Sequence, residues 1–230
     1  MPTKKDREKR QSIIDACRSM NALGINQGTS GNISLRHSTG LLITPTSVPY
    51  ETMQPEQIVF MDLDGSHDPA QRPSSEWRFH RDLLRARPDV GSIVHTHSCY
   101  ATALACTGRG IPAFHYMVAV SGDIEIRCAT YHTFGSQELS DAALHAIGRG
   151  NACLLANHGV IALGADLTAA LSLAGEVENL AAQYCAALAL GDVRVLDGAE
   201  MRRVVEKFRT YGKPDAPDAD LVHAGERWGG

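Results

Sequence analysis

The sequence predicts a layered α/β sandwich built on a mixed sheet. Three observations lead there. Strand-like and helix-like segments alternate along the whole chain instead of falling into separate blocks. The strand-like runs are short and bounded by turn residues. No Pro/Gly/Ser-rich linker divides the 230 residues, a length sufficient for one good-sized core. The chain therefore reads as one domain over residues 1–212, followed by a loose tail over 213–230, "KPDAPDADLVHAGERWGG", rich in Pro, Asp and Gly.

Residues 5 to 23 predict an amphipathic helix. Ile13, Ile14, Cys17 and Met20 recur at helical spacing behind a charged start, and Gly24 stands where a C-terminal cap belongs. "NISLR", "GLLITP" and "QIVFMDLDG" then begin a hairpin-rich sheet. "SSEWRFHRDLLRARPDV" predicts a helix capped by its serine pair, apolar at Trp77, Phe79, Leu83 and Leu84 and terminated by Pro88. The strand "GSIVHTH" follows, then a helix from Ser98 to Cys106, a strand "IEIRCA" and a helix "SQELSDAALHAIG". "ACLLANHGVIALG" predicts two strands meeting at a tight His158-Gly159 turn, and helices over 167 to 190 and about 198 to 209 close the chain. Glu176, Glu178 and Asn179 interrupt the apolar run 167 to 190, which makes it a buried or interfacial helix and not a membrane span.

Composition narrows the function classes. A formal net charge of −4 leaves no general basic field, so nucleic acid is not an expected partner and an anionic ligand must be held by local features. The six cysteines form no C-x-x-C pair, and the start "MPTKKDREKR" has no apolar stretch behind it. The expectation is a cytoplasmic protein with reduced thiols, packed mostly as small apolar residues. All five lysines (Lys4, Lys5, Lys9, Lys207, Lys213) stand near the termini, away from any apolar pocket in which an imine-forming amine would be activated. A carbonyl substrate would then be activated by a metal ion.

"IVHTHSCY" supplies the first candidates for such an ion. On a strand, His95 and His97 project from one face roughly 6 to 7 Å apart along the chain, close enough to converge on one centre, the plain alternative being a surface or hydrogen-bonded pair. His158, where a strand should end at the same sheet edge, is a third. Three imidazoles with an open fourth position suit a catalytic zinc ion, although a turn-capping histidine is the plain alternative. Glu76, in the first turn of its helix, is a candidate fourth ligand or general base, or simply a favourable helix-start carboxylate. For an anion, "GTSGNIS", "TPTS" and "PSSE" gather hydroxyls and backbone donors beside glycines or a helix start, each also readable as an ordinary turn or cap. No Walker loop and no G-x-G-x-x-G fingerprint is present.

Taken in order and spacing, "GTSGNISLR", "LLITPTSVPY", "PSSEWRFH", "IVHTHS", "IPAFHYMVA", "ATYHTFGSQELS", "NHGVIALG" and "VVEKFRTYG" resemble the zinc-dependent class II aldolases of the L-fuculose-1-phosphate aldolase and L-ribulose-5-phosphate 4-epimerase group. The resemblance implies a three-layer α/β/α sandwich with a mostly antiparallel sheet, assembled as a cyclic homotetramer with active sites near subunit interfaces. It implies one Zn2+ per subunit, with Mn2+ or Co2+ as alternatives, on His95, His97 and His158. Glu76 matches a carboxylate that binds the resting metal and then acts as acid/base. Thr29, Asn32, Thr46, Ser74 and Ser75 match phosphate-binding positions. Ser47 occupies a phosphate-loop position where that branch typically has Gly. Tyr116 matches a proton donor near the aldehyde oxygen, while Phe134 and Tyr211 match residues that close around the substrate.

The implied activity is reversible cleavage of a deoxy-ketose 1-phosphate to dihydroxyacetone phosphate and a small aldehyde through a zinc-bound enediolate. L-Fuculose 1-phosphate, 5-deoxyribulose 1-phosphate and 5-(methylthio)ribulose 1-phosphate share the reacting end and differ in the aldehyde tail, for which Phe114, Met117 and Phe134 are the apolar candidates. A pentulose-phosphate 4-epimerase, a methylthioribulose-1-phosphate dehydratase and a non-catalytic adducin-like binding domain are the alternatives on the same scaffold.

Overall fold

The computed structural model describes residues 3–210. Tyr211 and the expected tail over 213–230 lie outside the described residues. The strands are β1 (Asn32–His37), β2 (Gly40–Ile43), β3 (Val59–Asp62), β4 (Ser92–Thr96), β5 (Cys128–Ala129), β6 (Ala152–Leu155) and β7 (Gly159–Gly164). The helices are α1 (Lys4–Ala22), α2 (Trp77–Ala86), α3 (Cys99–Cys106), α4 (Gln137–Ile147), α5 (Leu167–Leu190) and α6 (Gly198–Thr210). One sheet runs β3-β2-β1-β4-β7-β6-β5, antiparallel throughout except for the β5–β6 pair.

Alternation along the strands divides the core into two layers. Leu41, Ile43, Ile93, Ile161 and Leu163 face Phe79, Leu83 and Leu84 of α2 and Leu139 and Ala143 of α4. Ile33, Leu42, Val94, Val160 and Ala162 face α1, α3 and α5, where Ile14, Leu104 and Val177 are buried. The result is helix, sheet, helix in three layers. Among the described residues no helix is long and apolar enough to cross a membrane. In α5 the buried line is Ala170, Leu173, Ala174, Val177, Leu180 and Ala181, and Glu178 turns aside to accept the backbone N–H groups of Tyr100 (2.8 Å) and Ala101 (2.9 Å) at the start of α3.

Several expectations need correction. Of "IEIRCA" only Cys128–Ala129 joins the sheet, because Ile126 is drawn into an isolated antiparallel bridge with Ile111. The turn between β6 and β7 is made by Ala156, Asn157 and His158, with Asn157 left-handed at φ 53°, so Gly159 already belongs to a strand. Glu76 is the N-cap residue of α2, just outside its first turn, and its N–H meets the Ser74 hydroxyl at 3.3 Å. The six cysteines are free, but only Cys17 and Cys153 are buried, while Cys99 and Cys106 lie on the solvent side of α3.

Candidate metal centre

The site forms at the end of the sheet where β1 begins, β4 finishes and the β6–β7 turn returns. Asn32 is paired with His95 across β1 and β4, and His95 with Ile161 across β4 and β7, so the centre is anchored on the middle strands. His95 is fully buried on the α2 side of the sheet, its ring edge-on to Phe79 at 5.4 Å. His97 follows one residue past β4, and His158 follows left-handed Asn157.

The four ligand atoms of Glu76, His95, His97 and His158 lie within 4.8 Å of one another. The three rings are mutually edge-on, with centroids 4.9, 4.9 and 5.0 Å apart. His95 Nε2 is 3.1 Å from His97 Nε2 and 3.2 Å from Glu76 Oε2, and His158 Nε2 is 3.0 Å from Glu76 Oε1. Atoms bound tetrahedrally to one ion at about 2.0–2.1 Å stand about 3.3–3.4 Å apart, so the cluster fits such an ion after small adjustments. Its donor chemistry fits as well. His95 Nδ1–H donates to the Val160 carbonyl at 2.9 Å, which turns its Nε2 lone pair toward the cluster, and Glu76 Oε1 is buried with no aligned hydrogen bond.

Electrostatics favour an anionic carboxylate here. Burial works against the charge on Glu76, but the adjacent His95 and His158 outweigh it and hold the carboxyl well below the usual carboxylate range. Burial, then the neighbouring His95 and His158, press His97 down to about 4, which keeps its ring neutral at ordinary pH, as a metal ligand must be.

Close packing of the backbone makes this convergence possible. A Cβ on Gly159 would come within 2.4 Å of the Thr96 carbonyl oxygen and 2.9 Å of the His97 ring, and one on Gly31 within 2.6 Å of the His95 carbonyl oxygen. Of the hydroxyl-rich loops, those at 28–34 and 73–76 reach the cluster through Ser30 and Ser75, whereas Thr46 and Ser47 do not line its cleft and are joined to it only through the backbone. Thr46 N–H donates to Arg72 O (3.1 Å) and Ser74 N–H to Thr44 O (2.9 Å), tying the 44–47 turn to the start of α2. Tyr50 donates its hydroxyl to the Gly31 carbonyl at 2.5 Å, fixing the 28–31 loop. Ser47 holds a left-handed φ of 57°, the conformation that glycine adopts without strain.

A cleft of about 270 Å³ opens over the cluster, lined in part by Ser75, Glu76, His97, His158 and Phe134. Asn32 and Ser74 are buried behind it, and Thr29 is exposed on its loop. Tyr116 does not line this cleft. It opens a short 3-10 turn, half exposed, with its ring parallel to Phe208 at 6.4 Å beside a second groove that also contains Met117. Phe114 packs against Tyr184 in the core, so of the three apolar candidates for the aldehyde tail only Phe134 reaches the cleft. Sequence reasoning did not single out Ser30, Tyr131, His132 or Asn157, which complete the lining. All four sit inside the motifs "GTSGNISLR", "ATYHTFGSQELS" and "NHGVIALG", and that was the available signal.

A family model described as the class II aldolase and adducin N-terminal domain matches residues 11–185. A 5-methylthioribulose-1-phosphate/5-deoxyribulose-1-phosphate aldolase of Rhodospirillum rubrum is 53% identical over 203 residues, 88% of this chain and 92% of that one. An L-fuculose phosphate aldolase of Escherichia coli is 49% identical over 203 residues, covering 88% and 94% of the two chains. The solved structure of an L-fuculose 1-phosphate aldolase superposes with a TM-score of 0.84 at 36% identity, covering 87% of this chain and 95% of that one.

Proposed function

The chain belongs to the class II aldolase and adducin N-terminal domain family, and on that premise we propose that it is a metal-dependent aldolase acting on deoxy-ketose 1-phosphates. The products are dihydroxyacetone phosphate and a small aldehyde. The substrates of the two relatives, L-fuculose phosphate and the 5-deoxy and 5-methylthio ribulose 1-phosphates, differ only in the aldehyde tail, and acceptance of several of them is the reading we favour. The observation that carries it is the convergence of Glu76 with three histidines beneath a cleft edged by hydroxyl-bearing loops.

A divalent ion on His95, His97, His158 and Glu76, Zn2+ in the first instance with Mn2+ or Co2+ as alternatives, supplies fixed positive charge for the oxygens of the three-carbon fragment. The remaining work falls to the chain. Hydroxyls and amides of Thr29, Asn32, Thr46, Ser47, Ser74 and Ser75 hold the phosphate, consistent with the absence of lysine from these loops. When the C3–C4 bond breaks, its electron pair stays with the phosphate-bearing fragment and Glu76 returns a proton to that carbon. Phe134 covers the aldehyde side. In the condensation direction Tyr116 donates a proton to the aldehyde oxygen while the Glu76 carboxylate takes one from carbon; cleavage is the reverse, with the C4 hydroxyl proton passing to the Tyr116 phenolate and the Glu76 carboxyl protonating C3. Because Tyr116 stands apart from the cleft of its own chain, this role belongs to the cleft of a neighbouring copy in a homotetramer, with Tyr211 closing around substrate. A cytoplasmic location completes the reading, supported by six free cysteines.

The test is product analysis on metal-replete protein over a panel of ketose 1-phosphates. Dihydroxyacetone phosphate, detected by coupled reduction, supports the aldolase. An isomeric pentulose phosphate would make the protein an epimerase, and loss of water without C–C cleavage a dehydratase.

A further inference from the structure

One buried histidine near the centre has no part in the proposed chemistry. His80 lies on α2 one turn after Glu76 and is fully buried, its ring stacked on Phe79 with centroids 4.6 Å apart. Both ring nitrogens are engaged by β1. Nε2 lies 2.5 Å from Asn32 Oδ1, and Nδ1 lies 2.8 Å from the Ser34 hydroxyl. Asn32 and Ser34, two apart on the strand, face α2 together, and Asn32 Nδ2 continues the chain by donating to Glu76 Oε2 at 2.8 Å.

These contacts leave one consistent set of protons. A carbonyl oxygen only accepts, so His80 Nε2 carries its hydrogen and Nδ1 accepts from Ser34. Burial, with a smaller contribution from His95, keeps the ring neutral by lowering its pKa to about 3. The reversed Asn32 amide would set Oδ1 against the Glu76 carboxylate, a repulsive contact in a buried space whichever tautomer His80 adopts.

We propose that His80 is a positioning residue that fixes the Asn32 amide, and through it the orientation of the Glu76 carboxylate, with Ser34 donating to the Nδ1 that this His80 tautomer leaves bare. Oε2 is thereby pinned by Asn32, while Oε1 stays free of hydrogen bonds and faces His158. The proposal rests on the reading of Glu76 as the carboxylate of the metal centre. It explains why a polar triad is maintained against Phe79 where an apolar residue would pack.

Nitrogen NMR of ¹⁵N-histidine-labelled, metal-free protein tests the tautomer independently of activity. A neutral His80 with a protonated Nε2 and a bare Nδ1 is expected; a protonated Nδ1, or an imidazolium at neutral pH, overturns the proposal. In turnover, His80→Phe should lower kcat about 10- to 100-fold with KM held within about threefold, and His80→Gln, whose amide can donate to Asn32, should recover most of the loss. Equal losses for the two, or none for His80→Phe, count against it. Should His80→Phe fail to fold, Ser34→Ala, which removes the hydrogen bond holding the His80 ring, replaces it: a lowered kcat with KM held supports the proposal, and an unchanged kcat overturns it.

Competition of Zn2+ against a chelator then separates this proposal from the functional reading. His80→Phe should weaken Zn2+ binding when Glu76 is present and not in a Glu76→Gln background. Equal weakening in both backgrounds overturns the relay and leaves the aldolase standing. A wild-type protein that binds Zn2+ but cleaves no ketose phosphate fails the aldolase, while the tautomer and Zn2+ measurements still decide the relay.

Discussion

Replacing Gly159 by Ala tests whether close backbone packing creates the candidate metal centre. The added Cβ would sit 2.4 Å from Thr96 O, 2.9 Å from His97 Cδ2 and 3.3 Å from His95 Cε1. An unstrained carbon–oxygen contact is about 3.3 Å or more, so β7 must retreat from β4 by about 0.9 Å, or the turn must tilt. Rotation of an imidazole cannot relieve a clash with backbone, and His95 is also tied to Val160 O on the same strand. Overpacking of this kind costs about 2–3 kcal/mol, a fall in Tm of roughly 4–12 °C for a domain of this size. Ligand positions tolerate only about 0.2 Å, so Zn2+ affinity should fall about tenfold or more. Thermal melts with and without Zn2+, and competition against a chelator, give the two numbers. A variant that binds Zn2+ within about twofold of wild type and melts within about a degree of it would refute the reasoning.

Other substitutions and conditions probe the remaining links. Glu76→Gln should retain Zn2+ on the three histidines but lose about 10²- to 10³-fold in turnover, and a wild-type rate would remove Glu76 from proton transfer. Chelation should abolish cleavage, with recovery on adding Zn2+, Mn2+ or Co2+; full activity in rigorously metal-free protein would end the metal reading. Acid should destabilise the metal-free protein. With His80 lowered from 6.5 to about 3, the unfolded chain takes up a proton that the folded chain refuses, so stability present above pH 6.5 is lost as pH falls toward 3. That one group contributes up to about 1.4 kcal/mol per pH unit, measurable by urea unfolding between about pH 7 and about pH 5, and a flat profile would contradict a neutral buried ring. Ser47→Gly, by relieving a left-handed side chain, should raise stability by about 1 kcal/mol, and an unchanged or lower Tm would show that Ser47 is held without strain.

Much of the fold was legible because periodicity reports directly which face of an element is buried. The runs around Ile33, Leu42, Val94 and Ile161 became central strands, and Phe79, Leu83 and Leu84 face the core from α2 as their spacing required. "IEIRCA" misled because β-branched alternation records a preference for extended backbone, not a free partner along its full length. His158-Gly159 misled for a different reason. Glycine suggested a turn conformation, but Asn157 supplies the left-handed residue and Gly159 supplies room for neighbouring rings. The candidate metal residues, which converge in the structure, could be gathered from histidine spacing and sheet edges. The His80 relay could not, since a histidine one turn past Glu76 gains meaning only when Asn32 and Ser34 are known to face it across the layer. Likewise, the sequence supplied Tyr116 as a motif residue, and only the structure separated it from the cleft of its own chain.

The four candidate ligands come from the start of α2, the end of β4 and the β6–β7 turn, segments that could otherwise open separately. An ion held by all of them is a cross-link spanning residues 76 to 158, closed only in the native chain. Binding confined to the folded state adds about 2.7 kcal/mol when free ion exceeds its Kd a hundredfold. The same ion that serves turnover would thus slow local opening and protect the chain from proteolysis. Metal starvation would then shorten the lifetime of the protein as well as silence it, coupling its abundance to metal supply.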